Sequence, residues 1–268
     1  MAEPRRGLRH IERAMGTVFS FDIRDPRTPA IKSALQDAVA LLHHVDAVFS
    51  TYRSGSVISR LGRGELEPDD CPAEVRQVLD LCERAREATG GWFSAAAGGG
   101  LDPSGIVKGW AVERAARILE AAGAHHTCVN GGGDLQLTGE AAPGEPWRIG
   151  IAHPRHPGRL CAVVTGRDLA IATSGTAERG AHIIDPHTGR PVARAASVTV
   201  VGRTLTMTDA YATAAFAMGA GARHWLEGLN GHEGFAVAGT GEAWRTRNFP
   251  GTVYEGAIAP AISLTRRS

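Results

Sequence analysis

Asp209 and Thr213 stand four residues apart in Thr208-Asp-Ala-Tyr-Ala-Thr-Ala-Ala-Phe-Ala-Met-Gly219, an alanine-rich stretch that reads as helix. That spacing sets a carboxylate and a hydroxyl on one helical face, one turn apart. Hard oxygen donors so placed suit Mg²⁺, which takes a few protein oxygens and is completed by phosphate and water. Just upstream, His182-Ile-Ile-Asp-Pro-His-Thr-Gly189 brings His182 and Asp185 into a turn with proline after the aspartate and a closing glycine. The two segments together point to chemistry on a phosphate ester or anhydride. Each also has a plainer account. Thr208 or Asp209 caps the helix, Thr213 bonds back to a helix carbonyl, and His182 to Gly189 is turn chemistry alone.

Three further segments carry polar groups on flexible backbone. Asp102-Pro-Ser-Gly-Ile-Val-Lys-Gly109 leads into a helix, where glycines let backbone N–H groups approach an anion; it is equally readable as a tight turn, and it lacks the G-x-x-x-x-G-K-[ST] pattern. Asn130-Gly-Gly-Gly-Asp134 follows a strand and permits close backbone approach to a ligand, or simply a hairpin turn. Because strand rather than helix follows it, a dinucleotide-binding G-x-G-x-x-G unit is disfavoured. Ala172-Thr173-Ser174-Gly175-Thr176 reads as a small-residue polar turn after an apolar strand, one that contacts a ligand's phosphate or simply ends the strand. Of 29 basic residues only Lys32 and Lys108 are lysine. Lys32 lies in an ordinary helical pattern, whereas Lys108 sits in the glycine-rich segment, where a compact ammonium has a use.

The elements that must position these residues are helical early and extended late. Apolar spacing predicts helices over 30–49, 57–61, 73–88, 110–122, 209–218 and 223–229. Short strands are expected over 18–23, 128–130, 135–138, 147–151, 161–165, 169–172, 197–201 and 235–238, separated by Gly and Pro turns. The implied class is α+β, with helices packed on a mainly antiparallel mixed sheet. The 268 residues, 43% hydrophobic, fit one large domain or two small ones, and the net charge of +1 gives no basic excess for nucleic acid. No apolar run spans a membrane and the first residues are polar, so a cytoplasmic protein is expected. Cys71, Cys82, Cys128 and Cys161 form no C-x-x-C pair and read as reduced core residues.

Taken in order, Met15-Gly-Thr17, Ser50-Thr-Tyr52, Asp102 to Gly109, Asn130 to Asp134, Thr173 to Gly175, His182 to Gly189 and Asp209 to Thr213 resemble the ApbE family of FAD:protein FMN transferases. The resemblance implies a single flavin transferase domain over 15–268 after an N-terminal extension, 1–14. It implies a reaction in which FAD is cleaved at its pyrophosphate. FMN is then joined through phosphate to a Thr or Ser hydroxyl of an acceptor flavoprotein, and AMP leaves. It makes Asp209, Thr213 and the carbonyl of Gly105 the Mg²⁺ ligands. It makes Met15, Tyr52, Trp92, Phe93, Ser94, Asp102, Lys108 and Ile183 part of the FAD site, with further walls from Asn130, Gly132, Gly133, Asp134, Thr173, Ser174 and Gly175. His182 is the expected proton acceptor, with Asp185 as its orienter or substitute. An unperturbed imidazole, with pKa about 6.5, suits a base near neutral pH.

The chain departs from the family pattern in two places. Ser94 stands in Gly91-Trp-Phe-Ser94 where the family usually has an acidic residue, and the stretch from there to Asp102 is short. Two other functions would use the same pocket: an FAD diphosphatase, with water in place of the acceptor hydroxyl, and a flavin-binding protein without turnover.

Overall fold

The structure is a computed structural model that describes residues 7–176, 183–192, 195–254 and 259–260. The first half runs β1 (Leu8–Ala14), β2 (Thr17–Ile23), α1 (Pro29–Phe49), α2 (Val57–Gly62), α3 (Ala73–Ala88) and α4 (Ser104–Ala121). Five strands follow: β3 (Thr127–Gly131), β4 (Asp134–Thr138), β5 (Trp147–Ala152), β6 (Arg159–Gly166) and β7 (Ala170–Gly175). The remainder is β8 (Ile184–Asp185), β9 (Arg190–Pro191), β10 (Ala195–Gly202), α5 (Leu205–Met218), α6 (Ala222–Glu227), β11 (Glu233–Ala238), β12 (Ala243–Arg245), β13 (Gly251–Val253) and β14 (Ala259–Pro260). Among the described residues no helix is long and apolar enough to cross a membrane.

Eight strands form the main sheet in the order β1-β2-β3-β4-β7-β10-β11-β12. All of its pairings are antiparallel. Both faces of its central strands are covered, and the alternation of side chains shows it. Ala170, Ala172, Val198, Val200 and Ala236 point into the core shared with the helices. Leu135, Leu137, Ile171, Val201, Phe235 and Val237 point the other way, onto Trp147, Ile149 and Ile151 of the small sheet built by β5, β6, β13 and β14. The molecule is therefore a layer of helices, an eight-stranded sheet and a second, smaller sheet. Fully buried side chains such as Phe19, Leu42 and Leu119 each contribute about 1.5–3 kcal/mol of burial.

Several elements differ from expectation, among them β1, α4, β7 and α5. Residues ahead of Met15, expected as an extension, supply the edge strand β1, paired with β2 from Leu8↔Ile23 to Ala14↔Thr17. Met15 and Gly16 make the two-residue turn between them, both with positive φ (49° and 69°), the geometry that continues strand twist in a tight hairpin. Helix α4 starts at Ser104, ahead of the expected Trp110, so Gly105 and Lys108 lie on helix rather than in a turn. Asp102 initiates it, its Oδ1 accepting the Ser104 N–H at 3.0 Å. Strand β7 runs on through Thr173-Ser174-Gly175 because β10 pairs with it there, Thr173 opposite Thr199.

Helix α5 begins at Leu205, four residues before Asp209, so Asp209 caps nothing and sits inside the helix. Thr208 does bond back, its hydroxyl donating to the Thr204 carbonyl at 2.7 Å. Helix α5 crosses α4 at very short range. A Cβ placed on Gly109 would lie 2.8 Å from both the Leu205 carbonyl oxygen and Asp209 Cβ. Gly109→Ala separates two opposing effects. In an exposed helix the change gains about 1 kcal/mol of helix propensity; at this crossing the overpacking costs about 1–3 kcal/mol. We expect a net loss, seen as a thermal midpoint lowered by several degrees, and an unchanged or raised midpoint would show that the crossing has room.

Candidate active site

Three charged side chains from three elements meet where α4, β4 and α5 converge. Lys108 projects from α4, Asp134 opens β4, and Asp209 lies one turn into α5. The Lys108 ammonium pairs with Asp134 Oδ2 and with Asp209 Oδ2, the latter at 3.1 Å. Side-chain exposure is 20% for Lys108, 4% for Asp134 and 7% for Asp209, so the cluster is largely out of water. Each carboxylate has a second, neutral donor that fixes its orientation. Asp134 Oδ1 accepts the Thr173 N–H at 2.8 Å, and Asp209 Oδ2 accepts the Gly109 N–H at 3.0 Å. One turn beyond Asp209, Thr213 Oγ1 lies 3.4 Å from Ser174 Oγ on β7. It also lies 3.7 Å from where a Gly105 Cβ would stand, which brings the start of α4 against the same face of α5.

This cluster floors a cavity of about 420 Å³. Its walls are apolar: Trp92 and Phe93 from the loop after α3, Ile149 and Ile151 from the small sheet, and Ile183 beside the β8–β9 hairpin. Phe93 is held by its backbone, the Phe93 N–H donating to Thr89 Oγ1 at 3.0 Å. Trp92 is braced by His187 of the hairpin turn, whose ring meets it edge-on at 4.5 Å between centroids. Apolar walls around a few polar groups are the usual form of a small-molecule site; here the polar groups of the floor are the Lys108 ammonium, the Asp134 and Asp209 carboxylates and the Thr213 and Ser174 hydroxyls, the Gly109 and Thr173 N–H groups being taken up by the carboxylates.

Most of the residues expected from sequence come together here. Trp92, Phe93, Ser94 and Asp102 line one side, and Gly105, Lys108, Asp209 and Thr213 the floor. Gly132, Gly133, Asp134, Thr173, Ser174, Gly175 and Ile183 complete the lining. Four expected residues stand elsewhere. Met15 is held in the β1–β2 turn and packs on the helix-side core. Tyr52 is 98% exposed in the loop between α1 and α2. Asn130 shapes the β3–β4 turn, its Oδ1 accepting the Gly133 N–H at 2.9 Å. Asp185 accepts the His187 N–H at 2.8 Å, and the backbone N–H groups of its own turn hold its carboxyl below the usual range. His182 lies outside the described residues.

Sequence reasoning passed over the loop that follows β5. His153 and Pro154 line the cavity, as do Ser197 of β10 and Pro186 of the hairpin. Burial, together with the neighbouring His156 and Arg155, lowers the His153 pKa below the ordinary imidazole value. The alternation Trp147, Ile149, Ile151 marked β5 as a strand, but its position as a cavity wall depends on the second sheet, which no local pattern encodes. The four cysteines are unpaired with one another; burial pushes the Cys82 and Cys128 thiols up to about 12 and that of Cys161 to about 11, so these three stay protonated.

The donor set fits a hard divalent cation. One carboxylate (Asp209), one hydroxyl (Thr213) and the adjoining Gly105 turn of α4 offer oxygen only, with no soft ligand, and leave positions for phosphate and water. Among the described residues no group of three or more His, Cys, Asp and Glu side chains forms a metal cage, so the protein alone supplies a partial ligand set.

Asp134 has two separable tasks. Asp134→Ala leaves the part-buried Thr173 N–H without its acceptor and removes one of the two carboxylates facing Lys108, at a cost of about 0.5–1.5 kcal/mol. Asp134→Asn keeps an oxygen for Thr173 and gives up the ion pair, so urea unfolding should place it between wild type and Asp134→Ala. Equal losses in the two variants would show that the ion pair alone matters.

Comparison with known proteins bears on the family and the fold. The ApbE family model matches residues 15–99 and 94–236. A FAD:protein FMN transferase of Vibrio cholerae is 39% identical over 129 residues, 44% of this chain and 39% of that protein. One from Salmonella typhimurium is 31% identical over 156 residues, 54% of this chain and 45% of that protein. The matched segments thus span less than half the length of these relatives. The structure of the flavin transferase ApbE from Vibrio cholerae superposes with a TM-score of 0.79 at 24% identity, covering 92% of this chain and 99% of that one, a likeness of fold. By the extent of the family match, this chain belongs to the ApbE family.

Proposed function

We propose that the chain is a Mg²⁺-dependent transferase that cleaves FAD and attaches FMN through a phosphoester bond to a Thr or Ser hydroxyl of an acceptor flavoprotein, releasing AMP. The observation that carries this reading is the Lys108–Asp134–Asp209 cluster, with Thr213 and Gly105 beside it, at the floor of a cavity walled by Trp92, Phe93, Ile149 and Ile151. Rings lie against the walls and a diphosphate lies on the floor. The relatives' names point to the same substrates.

In the reaction the acceptor hydroxyl oxygen attacks the FMN-side phosphorus. The P–O bond to the AMP phosphate breaks, and its electron pair leaves with AMP. Such transfers need charge neutralisation and in-line placement more than covalent help. Lys108 meets phosphate as a point charge, and Asp209, Thr213 and the Gly105 carbonyl are the groups that would hold Mg²⁺. The metal, when bound, supplies Lewis-acid stabilisation of charge on the phosphoryl oxygens. Asp134 and the Gly109 N–H keep Lys108 and Asp209 aimed at the floor. The hydroxyl proton passes to His182. The Asp185 carboxylate is engaged by its own turn, so its part is to shape the chain that follows His182.

The test is an incubation of the protein with FAD, Mg²⁺ and a candidate acceptor, read by the acceptor's intact mass. An FMN adduct is expected with wild type. It should vanish with EDTA or in Asp209→Ala, and fall by about 10²–10⁴-fold in rate in His182→Ala, the usual contribution of a general base. Free FMN and AMP with no adduct on any acceptor would make the protein an FAD diphosphatase instead, and intact FAD under all metals would reduce it to a flavin binder.

A further inference from the structure

Helices α4 and α5 meet along one stripe of each. On α4 the stripe is Gly105, Gly109 and Glu113, each one turn from the next; on α5 it is Thr213, Asp209 and Thr206, in the opposite direction. The contacts form a ladder. Gly105 faces Thr213, and Gly109 faces Asp209 through the N–H contact at 3.0 Å. Glu113 faces Thr206, its Oε2 accepting the Thr206 N–H at 2.9 Å and the Thr206 hydroxyl at 2.5 Å. Two rungs of this ladder carry the metal-facing groups. The third, Glu113, is a buried carboxylate, 7% exposed, one turn beyond Gly109 and outside the cavity lining.

A buried carboxylate is costly unless its oxygens are satisfied. Glu113 is satisfied by the first turn of α5, whose N-cap residue, Thr204, makes no side-chain cap bond of its own. A second tertiary group completes the end: Gln136 Oε1 of β4 accepts the Leu205 N–H at 2.9 Å. The N-terminus of α5 is thus capped by the two elements that carry Lys108 and Asp134. Arg117 holds the other Glu113 oxygen from the solvent side. A sliding or rotation of α5 against α4 would break the two Glu113 bonds together with the Gly109 N–H contact to Asp209.

We propose that Glu113 is a positioning residue that fixes the register of α5 on α4 and thereby sets the spacing of Asp209 and Thr213 from Gly105 and Lys108. The metal-site half of this proposal rests on the function proposed above; the helix register does not. Outer-shell groups that orient metal ligands typically change metal affinity by about 10–100-fold when removed, and the same range is expected here.

The test uses the full chain, with Mn²⁺ as the probe metal, followed by its electron paramagnetic resonance spectrum. Glu113→Ala should weaken Mn²⁺ binding by about 10–100-fold, while metal-free FAD binding, read by flavin fluorescence, stays at the wild-type value. Glu113→Gln retains an oxygen for the Thr206 N–H and should recover most of the affinity. Thr206→Val drops only the hydroxyl and should fall between them. Metal affinity unchanged in Glu113→Ala, even with a lower melting temperature, would overturn the proposal, as would parallel loss of metal and FAD binding. Wild-type protein that binds no Mn²⁺ with FAD present would also overturn it. Mn²⁺ binding that responds to Glu113 in a protein that never cleaves FAD would sustain the positioning role and sink the proposed function.

Discussion

The structure depends on how closely α4 and α5 approach at Gly109. Two helices carrying ordinary side chains pack with axes about 8–10 Å apart. Here any Cβ at Gly109 would strike the Leu205 carbonyl, so the backbones themselves are the contact surface. That proximity lets a backbone N–H of one helix reach a carboxylate on the other, and it places Lys108 of α4 within 3.1 Å of Asp209 on α5. The composition of α5 follows from the same constraint. Its alanines at 210, 212, 214, 215 and 217 are buried on nearly every side, between α4 and the strands β7 and β10. Those strands answer with small residues, Ala170 and Ala172, where they face the helices. A helix squeezed in this way is precisely located with little side-chain volume.

The second sheet has a matching role. Without β5 and β6 the eight-stranded sheet would expose Leu135, Ile171, Phe235 and Val237 to water. Covering that face also raises Ile149 and Ile151 beside the end of the main sheet, where they become a wall of the cavity. The site is therefore bounded by all three layers: helix ends below, strand ends of the main sheet to one side, and the small sheet to the other. Its apolar walls are continuations of the two cores rather than a separate construction.

Local pattern revealed much of this. Apolar spacing located α1 and α3 almost to the residue, since Ile31, Leu35, Leu42 and Val45, and Val75, Val78 and Cys82, are each one buried stripe on a solvated helix. The same logic failed at α4, where Gly105 and Gly109 look like turn residues; the close crossing that requires glycine there is a tertiary fact. It failed again at α5, which is buried all round and so has no polar face to mark its start, and at Thr173 to Gly175, which are strand only because β10 pairs with them. The site's polar floor was legible because Lys108, Asp134, Asp209 and Thr213 are chemically conspicuous. Its outer parts were not. Tyr52 projects into solvent, Asn130 serves a turn, and His153 joins the lining through a loop with no local signature.

Formal charge on the floor constrains how the proposed substrates combine. Two carboxylates and one ammonium leave an excess of one negative charge in a poorly hydrated place. A diphosphate arriving alone would add to that excess, and like charges at a few ångströms oppose each other strongly where water is scarce. A divalent cation arriving alone meets a partial protein ligand set and a competing ammonium. In the proposed reaction the two would offset each other, the cation's charge against the diphosphate's, with Lys108 available to the diphosphate. Under that proposal, binding of one would strengthen binding of the other by the same factor, as linkage requires. The lysine is the pivot of that exchange: its ion pairs keep both carboxylates from facing each other unneutralised, and its flexible stem allows it to give one of them up. Arginine, with a planar fork committed to bidentate contacts, is poorly suited to such a handover. In a chain that otherwise uses arginine almost throughout, this gives a physical reason for lysine at position 108.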